Sequence, residues 1–202
     1  MPQVFIGMGG NQGDVKQTLL NAFIQIKGWE GVQEARLSRF YRTTPVDCVT
    51  EDLFVNAVCG LQTTLLPLLL FEKIEQLERA LGKTPKCKRE ARPIDLDLLW
   101  YEGVEQTSEK LTLPHPRLNE RLFVLKPLSD LVPELVPIVE RHPNPHRESV
   151  YEISEDSKME NRPQATPHDY VRALCDRIGS AYDESGRRLE KAVFAIPYPV
   201  NL

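Results

Sequence analysis

No stretch of the chain approaches the ~18 uninterrupted apolar residues of a membrane span, and Met1-Pro2-Gln3 has neither the cationic start nor the apolar core of a secretory leader. A cytoplasmic protein is expected. Cysteine is scarce: Cys48, Cys59, Cys87 and Cys175 lie far apart with no C-x-x-C pair, which argues against a zinc cage or a redox dithiol. Reduced thiols are the default. No internal repeat is visible. Positive charge is not in excess either, since 25 Lys and Arg stand against 29 Asp and Glu for a net charge of -4. The broad basic field of a dedicated nucleic-acid binder is missing, so any basic site must be local. What remains is a globular composition, 41% hydrophobic and 27% charged over 202 residues, with room for one domain and an appendage.

Val4 to Met8 form a short apolar run ending in Gly9-Gly10-Asn11-Gln12-Gly13-Asp14, which reads as strand, glycine turn and helix start, with Asp14 as N-cap. Apolar residues then recur at helical spacing from Val15 to Lys27 until Gly28. Val32–Tyr41 alternates imperfectly and reads as a second strand, and Phe54–Leu61, rich in β-formers, as a third paired antiparallel with it. Pro67 opens a helical pattern that Gly82 ends. Ile94–Tyr101 is the fourth strand. The order β-α-β-β-α-β predicts an α+β, ferredoxin-like antiparallel sheet with both helices on one face. An extra strand at Lys110–Leu113 and two short helices, from Asn119 and Leu128, are expected as additions. Composition changes after Glu140, and the domain is read as residues 1–143, followed by a linker and extension of unknown role over 144–202. Within the extension, Pro167–Ile178 has the spacing of an amphipathic helix.

The strongest chemical signal is Asp95-Leu96-Asp97. On a strand, residues two apart point to one face, which sets two carboxylates side by side and turns Leu96 and Leu98 to the core. Such a pair favours either a shared proton or a divalent cation, and hard oxygen ligands suit Mg²⁺; an ordinary solvated strand face has the same pattern. Immediately upstream, Lys83–Arg92 holds five cations. Carboxylates for a metal beside cations for phosphate oxygens read as a nucleoside triphosphate site, against the plainer alternative of a solvated basic loop. Pro114-His115-Pro116-Arg117 and Arg121 form another cationic cluster. The glycine turn fits no dinucleotide fingerprint, because Gln12 replaces the last glycine, and no GK[ST] follows.

Tyr41-Arg42-Thr43-Thr44-Pro45, Leu53-Phe54-Val55-Asn56-Ala57, Ile74–Gly82, Arg92-Pro93-Ile94-Asp95-Leu96-Asp97-Leu98 and Leu113–Phe123 occur in that order. Over residues ~2–143 this resembles the 6-hydroxymethyl-7,8-dihydropterin pyrophosphokinase family. The resemblance implies transfer of pyrophosphate from ATP to the hydroxymethyl group of the pterin, with release of AMP, in folate biosynthesis. It implies two Mg²⁺ ions held by Asp95 and Asp97, with Asp97 also able to help take the proton. Arg92, His115 and Arg121 match phosphate-gripping positions, and Lys83 stands where the family's mobile catalytic loop begins. Glu75, Glu78, Leu98, Lys110 and Thr112 match positions around adenine and ribose. For the pterin, Asn56 matches the residue that reads the ring edge, Phe54 and Phe123 the aromatic pair around it, and Thr43, Thr44 and Val46 backbone contacts, with Gly9 and Asn11 nearby. No nucleic acid or membrane partner is implied. A monomer is expected, with a weak dimer as the alternative.

The sequence departs from the family at Glu90 and Ala91, where glycine and proline are usual, and its basic loop favours Lys over Arg. Those changes predict modest turnover. Two competing readings are a generic Mg²⁺ phosphohydrolase, which has no use for Phe54, Asn56 and Phe123 together, and an RNA-binding module, which lacks its aromatic-glycine signature here.

Overall fold

A computed structural model describes residues 1–46, 52–84, 91–144 and 146–153. The segment 85–90 of the basic loop, including Glu90, and the helical pattern at 167–178 lie outside the described residues. Strand β1 (Gln3–Gly10) leads into helix α1 (Val15–Lys27), which starts where Asp14 accepts the Gln17 N–H at 3.1 Å and stops at Gly28. Then come β2 (Val32–Leu37), β3 (Tyr41–Thr43) and β4 (Phe54–Thr63). Helix α2 (Pro67–Ala80) has Pro67 in its first turn, where a missing N–H costs nothing. After β5 (Asp95–Tyr101), a ribbon pairs β6 (Gln106–Thr107) with β7 (Thr112–Leu113). Helices α3 (Leu122–Leu131) and α4 (Val136–Glu140) flank a 3₁₀ turn at Pro133–Leu135, and β8 (Val150–Glu152) follows.

The main sheet is antiparallel throughout, in the order β5-β1-β4-β3-β8, with β2 also on β4. Successive residues of β1 point to opposite faces and both faces are buried. Val4, Ile6 and Met8 pack in one core with Leu19, Ala22 and Ile26 of α1 and Leu70, Ile74 and Leu77 of α2. Phe5 joins Val58, Leu99 and Trp100 in a second core with Val124, Leu125 and Leu128 of α3 and with Val139. The helices are thus not confined to one face. α1 and α2 share one side as expected, and the added helices cover the other, because a strand with apolar side chains on both faces exposes hydrophobic surface until both are covered.

Three expectations are corrected. The strand read over Val32–Tyr41 is two strands, β2 and β3. Between them, the Ser38 hydroxyl accepts the Val58 N–H at 2.8 Å, taking over a ladder bond that a backbone carbonyl would otherwise make. The two short helices read from Asn119 and from Leu128 are instead α3, which starts at Leu122 and runs on through Leu128 with Pro127 inside it, and α4, which starts at Val136. Pro127 removes one intrahelical bond, and burial of the surrounding apolar residues offsets the loss. The extra strand read at Lys110–Leu113 is reduced to Thr112–Leu113. Beyond residue 143 the chain returns to the sheet, where β8 pairs with β3 as Thr43↔Val150, Arg42↔Tyr151 and Tyr41↔Glu152.

Candidate active site

The period-two logic of β5 holds at its first four residues. Leu96 and Leu98 are buried in the core, and Asp95 and Asp97 share the opposite face. The register brings that face beside two glycines, because Gly9 pairs with Asp95 and with Asn56, and Gly7 with Asp97. A Cβ on Gly9 would overlap Oδ1 of Asn56, so only glycine leaves that amide its present position. The result is an open cleft enclosing about 610 Å³, part of it continuous with solvent.

Lining it are Thr43, Thr44, Val46, Phe54, Asn56, Arg92, Asp95, Asp97, Arg121 and Phe123, so ten of the residues singled out in the sequence converge here from four separate stretches of chain. Asn56, 7% exposed, donates through Nδ2 to Thr43 Oγ1 at 2.8 Å, which fixes the orientation of its amide. The Arg92 guanidinium carbon lies 5.9 Å from the centre of the Phe54 ring, and that of Arg121 lies 5.4 Å from the centre of the Phe123 ring. Because β1 lies between β4 and β5, Phe54 and Asn56 stand at one end of the cleft and Asp95 and Asp97 at the other, with the two arginines reaching the rings. Gly7, Met8, Gly9, Ala57 and Val124 complete the lining. Gly7, Met8, Ala57 and Val124 were not singled out beforehand, since nothing in their local pattern separates them from core residues.

At the charged end each acid already has a cation. Asp95 Oδ1 lies 2.7 Å from Lys83 Nζ and its Oδ2 3.3 Å from Arg92, while Asp97 Oδ2 lies 3.4 Å from Arg121. Lys83 also bonds Oε1 of Glu78 at 2.6 Å, and that same oxygen accepts the Leu96 N–H at 2.6 Å. Burial pushes the Glu78 carboxyl above its usual range, against the pull of Lys83 and the Leu96 N–H. Burial lowers Lys83, but Asp95 and Glu78 overcome it and hold the ammonium more firmly charged than usual. His115 is pushed down chiefly by burial, with Asp97 opposing and Arg121 and Arg117 adding to the fall. The neutral ring also fits its bond, because Nδ1 accepts the Arg117 N–H at 3.1 Å.

Arg92 is held by its backbone: its N–H reaches Asn11 Oδ1 at 2.8 Å and its carbonyl takes the Asn11 N–H at 3.0 Å. The side-chain donors Arg92 Nε and Asn11 Nδ2 are buried with no partner among the described residues. Unmet buried donors, one of them on a guanidinium, suit an anion. Lys83, Glu78 and His115 are not themselves in the cleft lining, and neither are the remaining expected residues. Glu75 sits on the exposed side of α2, paired with Arg79 at 3.5 Å. The Leu98 side chain belongs to the core, which leaves its backbone alone for any ligand contact. Lys110 and Thr112 lie on the β6–β7 ribbon.

Among the described residues, no group of three or more His, Cys, Asp or Glu forms a metal-binding cluster. The acidic donor set is the carboxylate pair Asp95 and Asp97. No helix among the described residues is long and apolar enough to cross a membrane.

The description "7,8-dihydro-6-hydroxymethylpterin-pyrophosphokinase (HPPK)" matches residues 5–133. A 2-amino-4-hydroxy-6-hydroxymethyldihydropteridine pyrophosphokinase of Methylorubrum extorquens is 37% identical over 136 residues, covering 67% of this chain and 86% of that one. Its Bacillus subtilis namesake is 35% identical over 127 residues, 63% of this chain and 76% of that one. The "Folic acid synthesis protein fol1" of Pneumocystis carinii is 37% identical over 133 residues, which are 66% of this chain and only 18% of that much longer protein. With most of the sheet, both flanking helices and the whole cleft inside the matched residues, the chain belongs to the 7,8-dihydro-6-hydroxymethylpterin-pyrophosphokinase family.

Proposed function

We propose that the chain transfers pyrophosphate from ATP to the hydroxymethyl group of 6-hydroxymethyl-7,8-dihydropterin, giving AMP and the pterin diphosphate in folate biosynthesis. The pterin hydroxyl gives up its proton, which Asp97 would help take, as its oxygen bonds to the β-phosphorus; the bond from that phosphorus to the oxygen on the α side breaks, and that oxygen leaves with AMP. The observation that carries this reading is the two-ended cleft. Phe54, Phe123 and the oriented amide of Asn56 suit a flat heterocycle with a hydrogen-bonding edge, and they stand directly beside paired carboxylates and arginines suited to polyphosphate. A phosphohydrolase would need only the second end. The strand order and the shared side of α1 and α2 support a ferredoxin-like arrangement of the domain.

The donor set fits Mg²⁺, which is commonly held by one or two carboxylates together with substrate phosphates. Asp95 and Asp97 would hold two such ions, whose bound charge would offset that of the triphosphate. In this reading the cations now paired with the acids exchange partners: Arg92 and Arg121 turn from Asp95 and Asp97 to phosphate oxygens, and Lys83 follows from the loop base. His115, kept neutral by burial, offers a phosphate oxygen one N–H without adding charge. Glu75, Glu78, Lys110, Thr112 and the Leu98 backbone would border the nucleoside, while Thr43, Thr44 and Val46 would meet the pterin.

The test is AMP release by the purified chain given ATP and the pterin, with EDTA and with excess Mg²⁺. AMP should form only when both substrates and the metal are present. Asp97→Ala should lower the rate at least about 100-fold with an unchanged circular dichroism spectrum, because Asp97 contributes to the cleft and not to core packing. AMP formation at the same rate without pterin, or normal turnover in Asp97→Ala, refutes the assignment.

A further inference from the structure

The stretch beyond residue 143 touches both walls of the cleft. On one side is Glu148, only 5% exposed, whose Oε2 accepts the Phe123 N–H at 2.8 Å. That N–H lies in the first turn of α3, where the capping residue, Arg121, contributes no side-chain cap of its own. Helix starts leave N–H groups without intrahelical partners, and a carboxylate there also meets the favourable end of the helix dipole. On the other side, Ser149 N–H donates to Thr44 Oγ1 at 3.0 Å, Thr44 N–H donates to the Ser149 carbonyl at 3.1 Å, and Val150 pairs with Thr43. Two consecutive residues therefore join the wall bearing Thr43 and Thr44 to the wall bearing Arg121 and Phe123. The joint is itself braced, since Asn144 accepts the Glu148 N–H through Oδ1 and donates through Nδ2 to the Glu148 carbonyl, both at 2.8 Å. An apolar side chain could fill this space without the cost of burying a carboxyl; the group found there is an acceptor aimed at the backbone between the two cleft residues.

We infer that Glu148 is a positioning residue that sets Phe123 against the Thr43–Thr44 wall, and thereby governs binding of the flat heterocyclic substrate more than that of the nucleotide. The inference rests on the pterin reading of the cleft. It also gives the chain just past the expected domain boundary a task at the site. Burial pushes the Glu148 carboxyl up while the Phe123 and Leu122 N–H groups pull it back, in keeping with an acceptor held for those donors.

The experiment compares Glu148→Ala, Glu148→Asp and Glu148→Gln in the full chain. It measures AMP formation with each substrate varied in turn, together with amide exchange of the peptide spanning Leu122 and Phe123. Loss of a cap of this kind should raise the KM for the pterin about tenfold in Glu148→Ala. Glu148→Asp, whose oxygen no longer reaches the N–H, should behave alike. The KM for ATP and kcat should stay within about threefold of wild type in all three, and Glu148→Gln should keep a near-normal pterin KM because its amide oxygen accepts the same bond. Faster exchange at Leu122–Phe123 should accompany the raised KM. An unchanged pterin KM in folded Glu148→Asp, an equal rise for ATP, or a Gln variant as impaired as Ala overturns the inference. If Glu148→Ala does not fold, Glu148→Asp decides. Failure of the functional reading shows differently, as absence of AMP formation by the wild-type chain. Amide exchange then decides alone: faster exchange in Glu148→Asp supports positioning, and unchanged exchange overturns it.

Discussion

Replacing Gly9 by alanine isolates the contact on which the orientation of Asn56 depends. The new Cβ would overlap Asn56 Oδ1, so the amide must rotate and give up its 2.8 Å bond to Thr43 Oγ1. Losing that bond costs about 1 kcal/mol, and forcing a buried side chain off its rotamer about 0.5–1.5 kcal/mol more. Alanine also restricts the unfolded chain, which returns about 0.4–1 kcal/mol. The net expectation is a loss of about 1 kcal/mol, or a melting temperature lower by about 2–4 °C for a chain of this size. Function should suffer more than stability. A site built to hydrogen-bond a ring edge loses discrimination when its partner is turned away, so kcat/KM for the pterin should fall about 100-fold while the KM for ATP holds within about threefold. Calorimetric melting and steady-state AMP assays on Gly9→Ala, Asn56→Ala and the double variant give the full cycle. Because the overlap needs the Asn56 amide, Gly9→Ala should cost almost nothing once Asn56 is alanine. The reasoning fails if Gly9→Ala is as harmful in the Asn56→Ala background as in wild type.

Two other perturbations test contacts that tie distant parts of the fold together. Asp130 on α3, with its side chain 6% exposed, accepts the Arg39 N–H at 3.0 Å and the Tyr41 hydroxyl at 3.0 Å, and also pairs with the Arg39 guanidinium. Asp130→Ala leaves a buried hydroxyl unpaired and should cost about 2–4 kcal/mol by urea unfolding, whereas a loss below about 0.5 kcal/mol would contradict the role. His142 makes a ring contact with the Asn119 carbonyl at 2.8 Å through Nε2, and its Nδ1 accepts the Asn144 N–H at 3.1 Å, a pattern that only the neutral ring satisfies. Burial is the main cause that lowers its pKa from 6.5. A base held neutral in the folded state contributes stability that is complete above the unfolded value and is lost as pH falls through the folded one. Wild type should therefore lose its margin in melting temperature over His142→Ala as pH drops below 6.5; a margin constant from pH 7.5 to pH 5 would rule this out.

Legibility from sequence followed the range of the interactions. Helices α1 and α2 stand where periodicity and their local punctuation, Asp14, Gly28 and Pro67, put them, because caps and apolar spacing act within a few residues. The face shared by Asp95 and Asp97 follows from strand geometry alone. The break at Ser38 did not show, since it depends on a hydroxyl meeting a strand twenty residues away. Nor did the continuity of α3 through Pro127, which burial against the second face of the sheet sustains.

The sequence by itself determined helices α1 and α2, the carboxylate pair and the family motifs, because each is written in neighbouring residues under short-range steric and hydrogen-bonding rules. Only the tertiary structure decided that Gly9 must yield room to Asn56, that each acid is met by a cation, and that Glu148 and Ser149 bind the two walls of the cleft together. Those outcomes are set by strand register and chain return, which bring residues together from distant positions that local preference does not encode.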